Sequence, residues 1–291
     1  KAKVWSSLAS VIVGAEEPNK DFVIENGILK SYKGTEKVIV IPESVTEIDE
    51  SVFRGTDIEK VIFNRALKKI GAFAFWSCKS LKEIVFPEDN ELVTIGSNAF
   101  QATESLKLAN LEALSVWQAT AAESYQFHGT GLEKVALPAS MVKLESQFIF
   151  ASCGSLIELV LPEGLEEIAA HAFRNGGALE ELNIPSSVKV IGSLSFFRSG
   201  IKRINSLAAE PPALTDVNVF FPIGDVTKVV VPAASIDSYK KAKVWSSLAS
   251  VIVGAEEPDK LYGKISVSEM PSPSDDFIIE NGVLIKYVGP G

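Results

Sequence analysis

Two cysteines, two histidines and a scatter of adjacent carboxylates are the side chains of this 291-residue chain with the types to do chemistry. Cys78 and Cys153 each follow a phenylalanine, Phe75 and Phe150, by three residues. They occupy one template slot three repeats apart, about 14 Å along a sheet, which is beyond disulfide reach. They read as small buried thiols rather than as redox or metal groups. His128 follows Phe127, and His171 precedes Phe173 by two. With no clustered Cys or carboxylate they make a poor zinc site. Neither has a Ser or Cys nucleophile beside it, so both read as surface or turn histidines. Glu166-Glu167 and Glu180-Glu181 have the residue type of a glycosidase, but that chemistry needs two carboxylates across a cleft. Glu180 and Glu181 are expected side by side on an open strand. No nucleophile-elbow, zincin, Walker or dinucleotide-binding pattern occurs. The expectation is a non-enzymatic chain with no catalytic, cofactor-binding or metal-ligating residue.

The elements that would position these groups follow from a short repeat. The segments 39–53, 159–173 and 182–196 share one template: a short apolar strand, Pro, a hydrophobe six residues on, then Phe five residues later. The six-residue step holds from Pro42 to Ile48, Pro162 to Ile168 and Pro185 to Ile191. The five-residue step holds for Ile48–Phe53, Ile70–Phe75, Ile95–Phe100, Ile168–Phe173 and Ile191–Phe196. A period of about 22–26 residues with placed Leu and Ile reads as a leucine-rich solenoid. One coil cannot bury its own apolar edge, so coils must stack. The fold class is therefore α/β, a leucine-rich-repeat solenoid with a parallel concave sheet.

Nine strands are expected, at 37–41, 58–63, 81–86, 106–111, 132–137, 156–161, 179–184, 201–206 and 227–231, in one parallel sheet. In the strand at 81–86, Leu81, Ile84 and Phe86 point inward and Lys82, Glu83 and Val85 outward, with Pro87 ending the ladder. The segments around each Phe should be short helical or 3₁₀ turns. Residues 112–127 carry an insertion, and 207–226 contain Pro211-Pro212; either is expected to protrude.

A longer repeat encloses the short one. Residues 1–20 return at 241–260 with only Asn19 and Asp259 differing, and 21–34 reappears in near copy at 276–289. The organisation expected is a tail of a preceding unit at 1–20, an N-terminal hairpin cap at 21–36 and the solenoid at 37–210. A C-terminal cap at 211–258, a linker at 259–275 and the start of a next unit at 276–291 follow. The chain reads as a window on a tandem array. The N-terminal cap is expected as a hairpin with a type I′ Asn26-Gly27 turn. The C-terminal cap is expected as a helix opened by Ser235 as N-cap and running to about Trp245, then a strand at 251–253.

The net charge of −9 and pI near 5.0 argue against nucleic acid and against adsorption to anionic membranes. The apolar runs are too short to span a bilayer, so no direct membrane insertion is expected. Outward strand positions make the candidate binding surface: Lys82, Glu83, Lys107, Lys134, Glu158, Glu180, Asn183 and Arg203, with Trp117 on the insertion as the best single contact residue. Lys60, Val85, Ala136 and Asn205 are expected on the same face. It mixes both signs of charge with small apolar groups, which suits a protein rather than a polyanion or sugar groove.

The repeat resembles the BspA-like leucine-rich repeats of bacterial surface proteins. The likeness is carried by residues 42–48, 74–81 and 185–192, by the end pattern Pro211-Pro212, 231–240 and Trp245-Ser246, and by the hairpin. It departs from the pattern at Ala109, Asn110 and Glu112. The resemblance implies a right-handed horseshoe, and a secreted or surface-displayed protein of a host-associated bacterium, anchored at the outer membrane through a region outside this chain. It implies adhesion to a host matrix protein or another cell as the function. A structural spacer in a surface stalk is the alternative, and a glycan-binding module a weaker one. Oligomeric state is left open.

Overall fold

The computed structural model describes residues 20–118, 123–255, 277–280 and 283–287. The chain divides into two compact units, Phe22–Leu261 and the pair Lys1–Asp21 with Tyr262–Gly291. Apart from Lys20, the tail expected at 1–20 lies outside the described residues, as does all of the linker expected at 259–275.

Unit Phe22–Leu261 is a parallel β-solenoid opened by a hairpin. Phe22–Glu25 pairs antiparallel with Ile28–Tyr32. Asn26 and Gly27 join them at φ 52° and 80°, the positive values a type I′ turn demands. Thr46 N and Glu47 N both donate to Gly27 O, at 2.8 and 3.2 Å, which stitches the hairpin to the first coil. In the other unit, Phe277–Glu280 and Val283–Tyr287 pair in the same register, Phe277 opposite Tyr287, with the irregularity one residue in as in the first hairpin.

All nine expected strands form, most of them shorter than expected; Lys228–Pro232 alone among them runs one residue past its expected end. They do not make one continuous sheet. Val38–Val40, Lys60–Ile62, Glu83–Val85 and Leu108–Ala109 form one parallel ladder. Lys134–Ala136 and Glu158–Val160 form a second. Glu181–Ile184, Arg203–Ser206, Lys228–Pro232 and Ile252–Ala255 form a third. The first break falls where Ala109-Asn110 replaces the β-branched pair of other coils. There Phe86 N donates to Asn110 Oδ1 at 2.8 Å, and Asn110 Nδ2 donates to Phe86 O at 2.7 Å. A side-chain amide thus stands in for a peptide of the ladder.

A second face, unforeseen from the sequence as a sheet, runs along the return side. Two-residue strands built on the hydrophobe six residues after Pro pair coil to coil: Glu47–Ile48, Lys69–Ile70 and Thr94–Ile95, then Lys143–Leu144, Glu167–Ile168, Val190–Ile191 and Ala213–Leu214. After Ile70, Ile95 and Ile191 the next residue is a glycine that passes hard against the preceding coil. A Cβ at Gly96 would stand 2.5 Å from Ala72 N, and one at Gly192 2.4 Å from Ala170 N. Only glycine allows that approach without a shift.

The turn that closes each coil is irregular backbone, neither helical nor 3₁₀ as expected. Its phenylalanine is buried, and the rings stack. Centroids of Phe53, Phe75, Phe100, Phe127, Phe150, Phe173, Phe196 and Phe220 succeed one another at 4.8–5.8 Å with planes within 20°. Two left-handed residues flank the ring in each of seven turns. Two before Phe stand Ser51, Phe73, Asn98, Tyr125, Phe148, His171 and Leu194; two after stand Gly55, Ser77, Ala102, Gly129, Ser152, Asn175 and Arg198. Two reversals within five residues explain why no helix forms there.

The slot three after Phe takes a small hydroxyl or thiol because a carbonyl waits for it. Thr56, Thr103 and Ser199 donate to the carbonyl of the Phe three residues back at 2.7–2.8 Å. The Cys78 and Cys153 thiols reach the preceding coil instead, at Phe53 O and Phe127 O, 2.9 and 3.2 Å. Both are fully buried and free, as the spacing suggested.

The C-terminal cap departs from expectation. The helix is short, Ile236–Lys241, preceded by a 3₁₀ turn at Ala233–Ser235; Ser235 is itself buried and its side chain caps nothing. Val244 turns to φ 71° and a 3₁₀ segment, Trp245–Leu248, follows. The break lets Trp245 fold back so that its Nε1 donates to Pro212 O at 2.8 Å. Tyr239 Oη donates to Ala208 O at 2.9 Å and accepts from Ser206 Oγ at 2.6 Å. The segment 207–226 therefore does not protrude. It is a further coil: Ala213–Leu214 joins the return ladder and Phe220 ends the ring stack. The described part of the 112–127 insertion also lies on the solenoid, with Leu111 and Leu114 buried and Gln118 bridging Thr94.

Candidate functional site

The strand face carries the predicted contact residues, and parallel in-register pairing decides what they do there. Residues of like position in successive coils stand side by side. Lys82 meets Glu59 at 2.9 Å, Lys107 meets Glu133 at 2.8 Å, and Lys134 meets Glu158 at 2.6 Å. Glu180 pairs with Lys202. Glu83 pairs with Lys60 at 2.7 Å, both side chains nearly out of solvent. Asn205 Nδ2 donates to Asn183 Oδ1 at 2.8 Å and to Glu181 Oε1 at 2.7 Å, while Arg203 Nε donates to Asn205 Oδ1 at 2.9 Å. The mixed charge read from the sequence is thus an array of pairs between coils. The Lys82 ammonium beside Glu59 holds that carboxyl below its usual range.

Four positions expected on the open face are buried: Lys60, Val85, Ala136 and Asn205. Coils above and below leave a short side chain little exposure, and the ion pair or amide network satisfies the polar ones. What stays open is apolar as well as charged: Leu108 is 50% and Ile157 63% exposed. Trp117 is half-buried, its ring edge-on to Phe127 at 5.8 Å and to Phe150 at 6.2 Å. Glu112 is half-buried, which pushes its carboxyl above the usual range.

The turn edge holds a second surface that the sequence reading missed. Tyr125, Phe148 and His171, all two before a Phe, stack at 4.8 and 4.4 Å. His128 meets Tyr125 edge-on at 5.6 Å. Arg174 Nη1 lies 3.4 Å from His171 Nδ1, and its guanidinium covers the Phe197 ring at 5.1 Å. Arg198 lies 5.3 Å from the same ring, and Phe197 stacks on Phe221 at 5.2 Å. Arg54 lies over Trp76 at 4.4 Å. The signal was available: aromatic and Arg residues recur at fixed offsets from the Phe slot. Burial lowers the pKa of His128; burial and then the Arg174 charge lower that of His171. No group of three or more His, Cys, Asp or Glu placed to hold a metal occurs among the described residues.

Residues 23–121 and 90–203 match the family described as BspA type leucine rich repeat region, in six copies. The chain belongs to the BspA-type leucine-rich repeat family. Solved structures agree with the BspA-type fold. A leucine rich cell surface protein from Faecalibacterium prausnitzii is 24% identical with a TM-score of 0.57, covering 69% of this chain and 58% of that one. A leucine-rich repeat protein from Eubacterium ventriosum is 28% identical with a TM-score of 0.51, covering 62% and 50%. One from Bacteroides ovatus is 20% identical with a TM-score of 0.50, covering 83% and 65%. The chain thus spans little more than half the length of the first two. No curated protein matches it. No helix among the described residues is long and apolar enough to cross a membrane.

Proposed function

We propose that this BspA-type solenoid is a non-enzymatic binding module, displayed at a bacterial surface through a region outside this chain and contacting a protein of a host matrix or of another cell. The observation that carries the reading is the register. Parallel pairing fixes long columns of side chains on open faces, a geometry suited to a broad macromolecular contact rather than to enclosing a small molecule. The family match supports it, and one similar structure is described as a cell surface protein. The test is binding of the purified chain to a panel of matrix proteins and to whole cells. Saturable binding to one member supports the reading; no binding across the panel sinks it.

A second reading, a spacer unit in a stalk, draws on two observations. The strand-face charges are spent on one another, and the hairpin recurs in the same register after a near-identical cap sequence. Replacing exposed strand-face residues would then leave cell attachment unchanged while shortening the array reduced it.

A further inference from the structure

The two arginines on the last coils of the turn edge have no carboxylate partner among the described residues, in a chain of net charge −9. Arg198 is exposed, and Arg174 keeps a buried Nε–H without an acceptor there. On the strand face, by contrast, Lys82, Lys107, Lys134 and Lys202 are each matched with a glutamate of an adjacent coil. Alongside the arginines Phe221, stacked on Phe197, is 43% exposed.

We infer that the Arg174–Arg198–Phe197–Phe221 corner of the turn edge is a docking site for an acidic segment of a partner protein, one that presents carboxylates beside an apolar side chain. This deepens the binding-module reading and rests on it. Charge complementarity supplies the first half of the case. A guanidinium already stacked on a ring is pre-oriented and keeps its in-plane donors for a carboxylate. Ring geometry supplies the second half. Phe197 has Phe221 stacked on it and Arg174 over it, and Phe148 lies between Tyr125 and His171. A sugar or a base would need those covered faces. The rim of a ring covered on its faces is the positive side of the aromatic quadrupole, which favours anionic oxygens. Phe221 then offers an apolar landing for one hydrophobic side chain.

The test uses the full chain and fluorescent peptides of Glu and Asp flanking one Phe, with Gln/Asn peptides of the same length as controls, read by anisotropy. The acidic peptide should bind, weaken about tenfold when salt rises from ~50 to ~500 mM, and weaken about tenfold in the Arg174→Gln/Arg198→Gln double variant. The milder Arg198→Gln variant, whose side chain is exposed, should move in the same direction without loss of thermal stability. Lys107→Gln on the strand face should change nothing. Failure of the acidic peptide to bind, or equal loss with Lys107→Gln, overturns the inference, as does preferential binding of an oligouronate or of single-stranded DNA. If a matrix ligand is found whose affinity ignores both arginines, the docking site is refuted while the binding-module reading stands; if neither peptide nor matrix protein binds, both fall.

Discussion

The amide of Asn110 makes both hydrogen bonds that the backbone of Phe86 would otherwise make to a strand. Removing it strands a donor and an acceptor beside a buried ring. We expect Asn110→Leu to lower stability by about 2 kcal/mol, since each unsatisfied group costs roughly 1–3 kcal/mol. Chemical denaturation gives the value directly, and a neutral result would show that water serves Phe86 equally well.

Phe150 stands mid-stack, with Phe127 at 5.4 Å and Phe173 at 5.5 Å. Truncating it leaves a cavity the rigid turns cannot close. Phe150→Ala should cost about 3–5 kcal/mol and Phe150→Leu distinctly less. Equal losses would mean that the ring stack adds nothing beyond volume.

Burial pushes the Cys153 thiol up to about 11, and the Cys78 thiol upward as well. Alkylation needs the thiolate. At neutral pH the native protein should resist iodoacetamide and take up two equivalents once unfolded, as mass spectrometry would show. Rapid labelling of the folded chain would contradict the packing described.

The histidines give a pH dependence with a definite sign. Both pKa values lie below the ordinary 6.5 in the fold. The unfolded chain therefore binds more protons through that window, so stability is full above about 6.5 and declines as pH falls through the depressed folded values. Carboxylates such as Glu59 and Glu166 are held below 4.5 and titrate later. The urea midpoint should fall between pH 7 and 5.5, and His128→Gln/His171→Gln should flatten that limb. A midpoint that rises on acidification would reverse the argument.

Ala102 pays for its left-handed backbone, φ 58°, with no side-chain compensation. Ala102→Gly should therefore stabilise by about 0.5–1 kcal/mol, against the usual direction of such a change. Calorimetry that finds destabilisation would place the strain elsewhere.

The coil, its strand and its ring slot were legible because each depends on one apolar residue at a fixed offset. Pro42, Ile48 and Phe53 already mark a strand end, a return contact and a turn. The return ladder was not, because two residues per coil leave no alternation to detect. Nor was the backbone of the turn: Ser51, Tyr125 and Leu194 share nothing but position, and left-handed residues there are imposed by the path rather than by preference. The strand-face charges were legible as types, yet the pairing of Lys107 with Glu133 depends on register between coils. Asn110 read as a defect in the template, whereas the structure uses its amide as a substitute peptide. Trp117 read equally as a contact residue or as packing, and its ring meets Phe127 and Phe150 edge-on while staying partly exposed.

The backbone bonds between coils run along the stacking direction. A load applied to the two ends therefore meets a few bonds at a time, at whichever coil yields first, instead of shearing a whole sheet at once. Each yielded coil releases slack before the next is strained. A molecule tethering a cell in flowing liquid would lengthen stepwise under drag, damping sudden jerks at the attachment point and recoiling when the current slackens.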